Sequence, residues 1–190
     1  MFIHDLISSA GGLATADQLQ TVMSRKMVRN HLRSGDIVRV CHGVYAIAPQ
    51  DVIGKLAALD LMVGRTMVAC MGTAAELQGF DTEDDRRTHV LDPGTRVRPT
   101  EGVMVHQRVG APLCTVGGRL VTAPAWTAVE VARTLRRPRA IAALDAALHA
   151  GVCTKAEFEA AADEQRGRRG IVRVRELLVH ADGRAESPME

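Results

Sequence analysis

Thr15 and Ser24 are helix-capping residues nine positions apart, and Gly35 stands where the helix opened by Ser24 must stop. Thr15-Ala16-Asp17-Gln18 has the form of a capping box, in which the threonine hydroxyl and the Gln18 side chain satisfy each other's backbone N–H groups. Leu19, Val22 and Met23 supply an apolar face behind it. Ser24 then caps a helix over Arg25 to Ser34, and Gly35 ends it in a left-handed turn. Upstream, Phe2, Ile3, Leu6 and Ile7 recur at helical spacing and Gly11-Gly12 closes that segment. Two short helices joined by a tight turn make a helix-turn-helix.

The helix opened by Ser24 divides into two faces. At about 100° per residue, Arg25, Arg29, Arg33, Lys26 and Asn30 share one arc, while Met27, Val28, His31 and Leu32 fill the other. Ordinary surface helices mix acids with bases, and this face has no acid. Arginine and asparagine carry forked donors that match guanine and adenine edges in the major groove. His31 is expected to be packed on the apolar side. After Gly35, Asp36 to Val40 and Val44 to Ala48 are two β-rich runs around Cys41-His42-Gly43. This hairpin is a wing, with Arg39 and His42 expected near its tip to contact phosphate and Tyr45 expected in the core.

The distribution of charge agrees. The net charge is only +2, but residues 1–50 hold five basic and three acidic side chains, and the remainder holds 19 of each. A local cationic stripe on a near-neutral chain is the electrostatic footprint of a phosphate-binding module, so the expected partner is duplex DNA. Arginine abundance by itself argues nothing.

Pro49-Gln50 breaks the hairpin and Asp51 can cap a new helix, which places a domain boundary there: a winged helix-turn-helix over 1–50 and a larger mixed α+β domain over 51–190. In the later part, helices are expected at Val52–Val63 and Val68–Gln78, with a solvated charged loop at Asp81–Arg87. Strands are expected at Thr88–Leu91, Val103–Arg108, Leu113–Val116 and Arg119–Thr122. Helices then open at Pro124, at Arg139, at the capping box Thr154/Glu157 and near Ile171. Two basic clusters stand out: Arg133, Arg136, Arg137 and Arg139 around Pro138, and Arg166, Arg168, Arg169, Arg173 and Arg175 around Gly167 and Gly170. Each reads either as a second DNA-contact face or as solvated surface with local pairs to Glu164 and Glu176.

Other classes are disfavoured. No stretch reaches the roughly 20 apolar residues of a membrane helix, and Asp5 stands where a signal peptide would be basic; the expected setting is cytoplasmic. The four cysteines are far apart, so reduced, packed thiols are expected, with no metal and no cofactor. No phosphate-binding glycine loop and no G-x-S-x-G occurs. A hydrolase would need His89 and His106 to meet, with Cys114 joining them; the expectation is a non-enzyme without catalytic residues.

Gly12-Leu13-Ala14-Thr15, Gln18-Leu19, Ser24-Arg25, Leu32-Arg33-Ser34-Gly35, Val38-Arg39-Val40 and Gly43-Val44-Tyr45-Ala46 together resemble the N-terminal winged helix of AbiEi-type antitoxins. Where that family carries more arginine before the glycine, Cys41 and His42 stand here. Thr73-Ala74-Ala75, Gly79-Phe80, Val121 to Thr127 and Leu144 to Leu148 are similar to its later region. The resemblance implies a type IV toxin–antitoxin system. This chain would be the sequence-specific autorepressor of its own operator and the antitoxin to a nucleotidyltransferase-like toxin, without a stable complex being required. The capped cationic helix and the hairpin give the expected DNA contacts as Thr15, Ser24, Arg25, Lys26, Arg29, Asn30, Arg33, Arg39 and His42, and the resemblance adds a basic face of the later domain, at Arg133, Arg136, Arg137 and Arg139. In many relatives the phrase Ala181 to Glu190 opens a restriction-endonuclease-like domain. The alternative is therefore a winged-helix regulatory remnant of a nuclease-linked relative.

Overall fold

The computed structural model describes residues 3–80, 85–95, 97, 101–107 and 110–184. Phe2, the 81–84 part of the charged loop, Arg108 and the tail from Ala185 lie outside the described residues. The chain forms two compact units, Met1–Met67 with Pro93–Val103, and Val68–Asp92 with Met104–Glu190.

The first unit runs α1 (Ile3–Ser9), β1 (Leu13–Thr15), α2 (Ala16–Gln20), α3 (Arg25–Ser34), β2 (Val38–Cys41), β3 (Val44–Ala46) and α4 (Val52–Val63). Both expected N-terminal caps form. Thr15 Oγ1 accepts from Gln18 N at 3.2 Å while Gln18 Oε1 accepts from Thr15 N at 2.8 Å, and Ser24 Oγ accepts from Met27 N at 3.3 Å. Gly35 ends α3 at φ 82°, a left-handed conformation that an L side chain adopts only with strain.

The antiparallel sheet has the order β1-β3-β2. The central strand β3 is paired along both edges, and all three of its residues are buried, so both of its faces are covered. Tyr45 packs with Ile3, Ile7, Leu19, Val28 and Ile37 from the helical side. Helix α4 covers the other side, where the Cys41 thiol donates to Ala58 O at 3.4 Å. The Pro49 break had assigned this helix to the later domain; here it completes the N-terminal unit, because the sheet has a second apolar face to bury.

His31 departs from the expectation of a packed core histidine. It is partly exposed, and its Nδ1 lies 2.9 Å from Asp36 Oδ2 just beyond the end of α3. Hydrogen bonds from His31 and Ser34 hold the Asp36 carboxyl below its ordinary range. Met27, placed on the apolar arc, is 49% exposed.

The second unit holds α5 (Met71–Leu77), β4 (Thr88–Leu91), all but the first residue of β5 (Val103–His106), β6 (Leu113–Val116), β7 (Arg119–Thr122), α6 (Pro124–Thr134), α7 (Arg137–His149), α8 (Lys155–Glu164) and α9 (Ile171–Leu178). Residues Val68 to Cys70, expected to be helical, are extended. They stitch the strand pairs β4–β5 and β6–β7 together: Ala69 bridges Val90 on one side and Val121 on the other. Helices α6 to α9 and α5 enclose a core centred on Phe158, Leu144, Val129, Val174 and Leu177. The Thr154/Glu157 capping box starts α8 as expected.

Candidate nucleic-acid interface

Arg25, Lys26, Arg29, Asn30 and Arg33 are all exposed on α3, while Val28 is buried and Leu32 half-buried. The two halves of the cationic arc have different surroundings. Arg25 and Arg29 lie next to the buried stripe and line an open hollow of about 270 Å³ together with Gln20 and Arg39, over Ala16, Val28, Leu32 and Tyr45. Lys26, Asn30 and Arg33 lie farther round the helix and are absent from that lining.

Arg39 does not sit at the wing tip. It is paired across the ladder with Tyr45, and its guanidinium lies 5.9 Å from the centre of the tyrosine ring, within cation–π range. The register of β2 shifts between Arg39 and Cys41. In an unbroken strand the two side chains would share a face. The irregularity separates them, so that Cys41 is buried toward α4 while Arg39 is exposed beside α3.

His42 does occupy the hairpin turn. It lines a different hollow, of about 370 Å³, with Thr15, Asp17 and Gly43 and with Leu61 and Met62 of α4. The predicted wing pair is therefore split between two concavities. The Thr15 and Ser24 hydroxyls are both engaged as helix caps.

No local sequence signal marks Gln20, yet its Oε1 accepts from Arg25 Nε at 2.9 Å. The five-residue spacing spans the end of one helix and the start of the next, so no helical periodicity could have flagged the pair.

In the second unit, Arg133 of the first basic cluster joins side chains of the second in holding helices together, while the rest of the first stays on the surface. Arg133 and Arg168 both reach the buried Glu130 carboxylate at 3.3 Å, and Arg168 also stacks over Trp126 at 4.8 Å. Arg173 donates to the carbonyls of Arg133 and Leu135, and Arg175 pairs with Asp163 at 2.6 Å. These side chains hold α6, α8 and α9 together. Arg136, Arg137 and Arg139 remain exposed, and Arg137 lies 3.9 Å from Glu176 in a loose surface pair.

His89 and His106 do meet. His89 Nδ1 lies 2.9 Å from His106 Nε2, and His89 Nε2 lies 3.1 Å from Asp85 Oδ2. The Arg87 guanidinium holds Asp85 well below the usual carboxylate range. Cys114 takes Gln78 as its hydrogen-bond partner, and burial raises its thiol; burial pushes Cys41 up to about 11 and Cys153 up to about 12. Thiols this far above neutrality carry little thiolate for nucleophilic chemistry. Among the described residues, no group of three or more His, Cys, Asp or Glu side chains could hold a metal ion, and no helix is long and apolar enough to cross a membrane.

The histidine pair has a consequence for stability. Burial, then the neighbouring His89, Arg133 and Arg87, lower His106 from 6.5 to about 4. The unfolded chain therefore takes up a proton at a higher pH than the folded one, and the stability that the neutral ring contributes is full above pH 6.5 and lost as pH falls toward 4. Urea midpoints followed through Trp126 at pH 7 and pH 4.5 are expected to converge in His106→Gln relative to the wild type. An unchanged gap between the two midpoints would show that the acid-side loss arises elsewhere.

Comparison with known proteins agrees with the geometry. Residues 1–48 match the AbiEi antitoxin transcriptional regulator, and residues 67–180 match the AbiEi antitoxin C-terminal domain. Two Mycobacterium tuberculosis proteins, from strains CDC 1551 and H37Rv and both described as uncharacterized, are 62% identical over 168 residues, which is 88% of this chain. The chain spans 62% of the length of each of them. With a winged helix at its start and matches across most of its length, the chain belongs to the AbiEi family of antitoxins and transcriptional regulators.

Proposed function

We propose that this protein is a sequence-specific DNA-binding autorepressor and the antitoxin of a type IV toxin–antitoxin system, with a nucleotidyltransferase-like toxin as its functional partner. The observation that carries the DNA-binding half is the α3 face: Arg25, Lys26, Arg29, Asn30 and Arg33 are all exposed on one arc with no acid among them. Base and phosphate contacts come from this face and from Arg39, with His42 meeting the backbone from the turn of the hairpin. The antitoxin half rests on family membership. We place the division of labour between the compact units: Met1–Met67, including α4, serves the operator, and the later unit serves toxin neutralisation. The exposed Arg136, Arg137 and Arg139 offer a second, sequence-independent phosphate contact.

A promoter reporter and a toxin-rescue assay on the same full-length protein test the reading. Repression of its own promoter together with rescue of growth against the adjacent toxin is the expected result. A protein that represses but never rescues is a plain regulator, and one that does neither overturns the proposal.

A further inference from the structure

We propose that the hollow between α2, α3 and the wing strands is a phosphodiester clamp, in which Arg25, Arg29 and Arg39 grip one backbone phosphate while Gln20 and Tyr45 hold two of those arginines in place. The inference rests on the DNA-binding reading above and divides the α3 face into two parts with different tasks. Three guanidinium groups, charged at every physiological pH, line one concavity of about 270 Å³ with no carboxylate among the lining residues. Gathering three like charges is unfavourable unless an anion offsets them. A guanine edge offers two neutral acceptors and engages a single guanidinium. A phosphodiester carries a full negative charge and accepts paired N–H groups from more than one arginine.

The remaining geometry is that of a preformed site. Gln20 Oε1 takes the Arg25 Nε–H at 2.9 Å, which leaves the terminal nitrogens free to turn outward. Tyr45 is buried, so the ring beneath the Arg39 guanidinium is a fixed platform. Side chains ordered in advance lose less entropy on binding. Lys26, Asn30 and Arg33 are outside the hollow and are left as the base readers.

The test uses the full-length chain, its promoter duplex and a scrambled duplex, titrated at several salt concentrations. Arg25→Ala and Arg39→Ala are expected to weaken both duplexes equally, by about 10- to 100-fold, and to lower the salt slope by about one unit. Arg39→Lys, which keeps the charge, is expected to retain the slope. Gln20→Ala is expected to weaken both duplexes with the slope retained. Gln20→Glu, which puts a carboxylate into the hollow, is expected to weaken them further. Asn30→Ala is expected to narrow the gap between the two duplexes instead. A narrowed gap in Arg25→Ala or Arg39→Ala, or an unchanged slope in both, overturns the clamp while the DNA-binding reading stands.

If the wild type binds neither duplex, the DNA-binding reading fails, and the clamp is decided by NMR with dimethyl phosphate and inorganic phosphate. Shifts of the Arg25 and Arg39 Nε–H signals that are absent in Gln20→Glu support an anion site, with the stronger of the two probes naming diester or free phosphate. No shift with either probe overturns it.

Discussion

Phe158→Ala is expected to destabilise the later unit by about 3–5 kcal/mol, the usual range for removing a fully enclosed phenyl ring. Among the described residues Phe158 is the largest side chain with essentially no exposure, and it sits where α6, α8 and α9 meet. The neighbours Leu144, Val129 and Leu177 are themselves fully buried, so relaxation into the vacated space is limited. The measurement is urea unfolding read by two intrinsic probes. The chain has one tryptophan and one tyrosine; Trp126 is buried in α6 of the later unit and Tyr45 in the sheet of the first. The Trp126 transition is expected to shift by the full amount and the Tyr45 transition to stay, with duplex binding unchanged. Coincident shifts at both probes would show that the two units unfold as one and would remove the proposed division of labour.

The second large effect is functional. Arg25→Ala combined with Arg29→Ala removes two guanidinium groups from the α3 face, each expected to contribute about 1.5–3 kcal/mol through charge-assisted contacts. Operator affinity should fall at least about a hundredfold, and repression of the reporter should be lost. Neither side chain is buried, so the variant is expected to fold normally. Toxin rescue should persist, because the double change leaves the later unit intact. Loss of repression and rescue together would favour a regulator that protects the cell only by silencing the toxin gene.

The two expectations differ in how much of their basis could be read from the residue order. The cationic arc of α3 is local. Its residues lie within nine positions, and helical geometry alone puts them on one face. The same holds for Thr15, Ser24 and Thr154, whose hydroxyls bond backbone groups three residues away. Apolar periodicity and a left-handed glycine are likewise short-range signals, and α1, α3, α4, α8 and α9 follow them.

What depended on distant partners was not legible. Leu13-Ala14-Thr15 is too short to announce itself as a strand and becomes β1 only because it pairs with Ala46, Tyr45 and Val44 far along the chain. Val68 to Cys70 carries a run of apolar residues that suits a helix, yet the edges of β4 and β7 offer unpaired backbone groups, and pairing with them holds the segment extended. For the arginines of the second cluster, residue order left a DNA-contact face and a solvated surface equally open, and the partners Glu130, Trp126 and Asp163 come from elements distant in sequence or from across a turn.

The candidate site shows the same division. Residue order by itself determined that a capped helix would present Arg25, Lys26, Arg29, Asn30 and Arg33 without an acid, since caps and helical pitch act over a turn or two. Only the tertiary structure decided that Arg39 lies beside that helix rather than at the wing tip, through a register shift in β2 and the Tyr45 ring across the ladder. It also decided that Gln20 steadies Arg25 across the turn between two helices. Side-chain direction at a strand irregularity, and contact across a turn, depend on where the neighbouring elements pack, and local spacing carries no record of that.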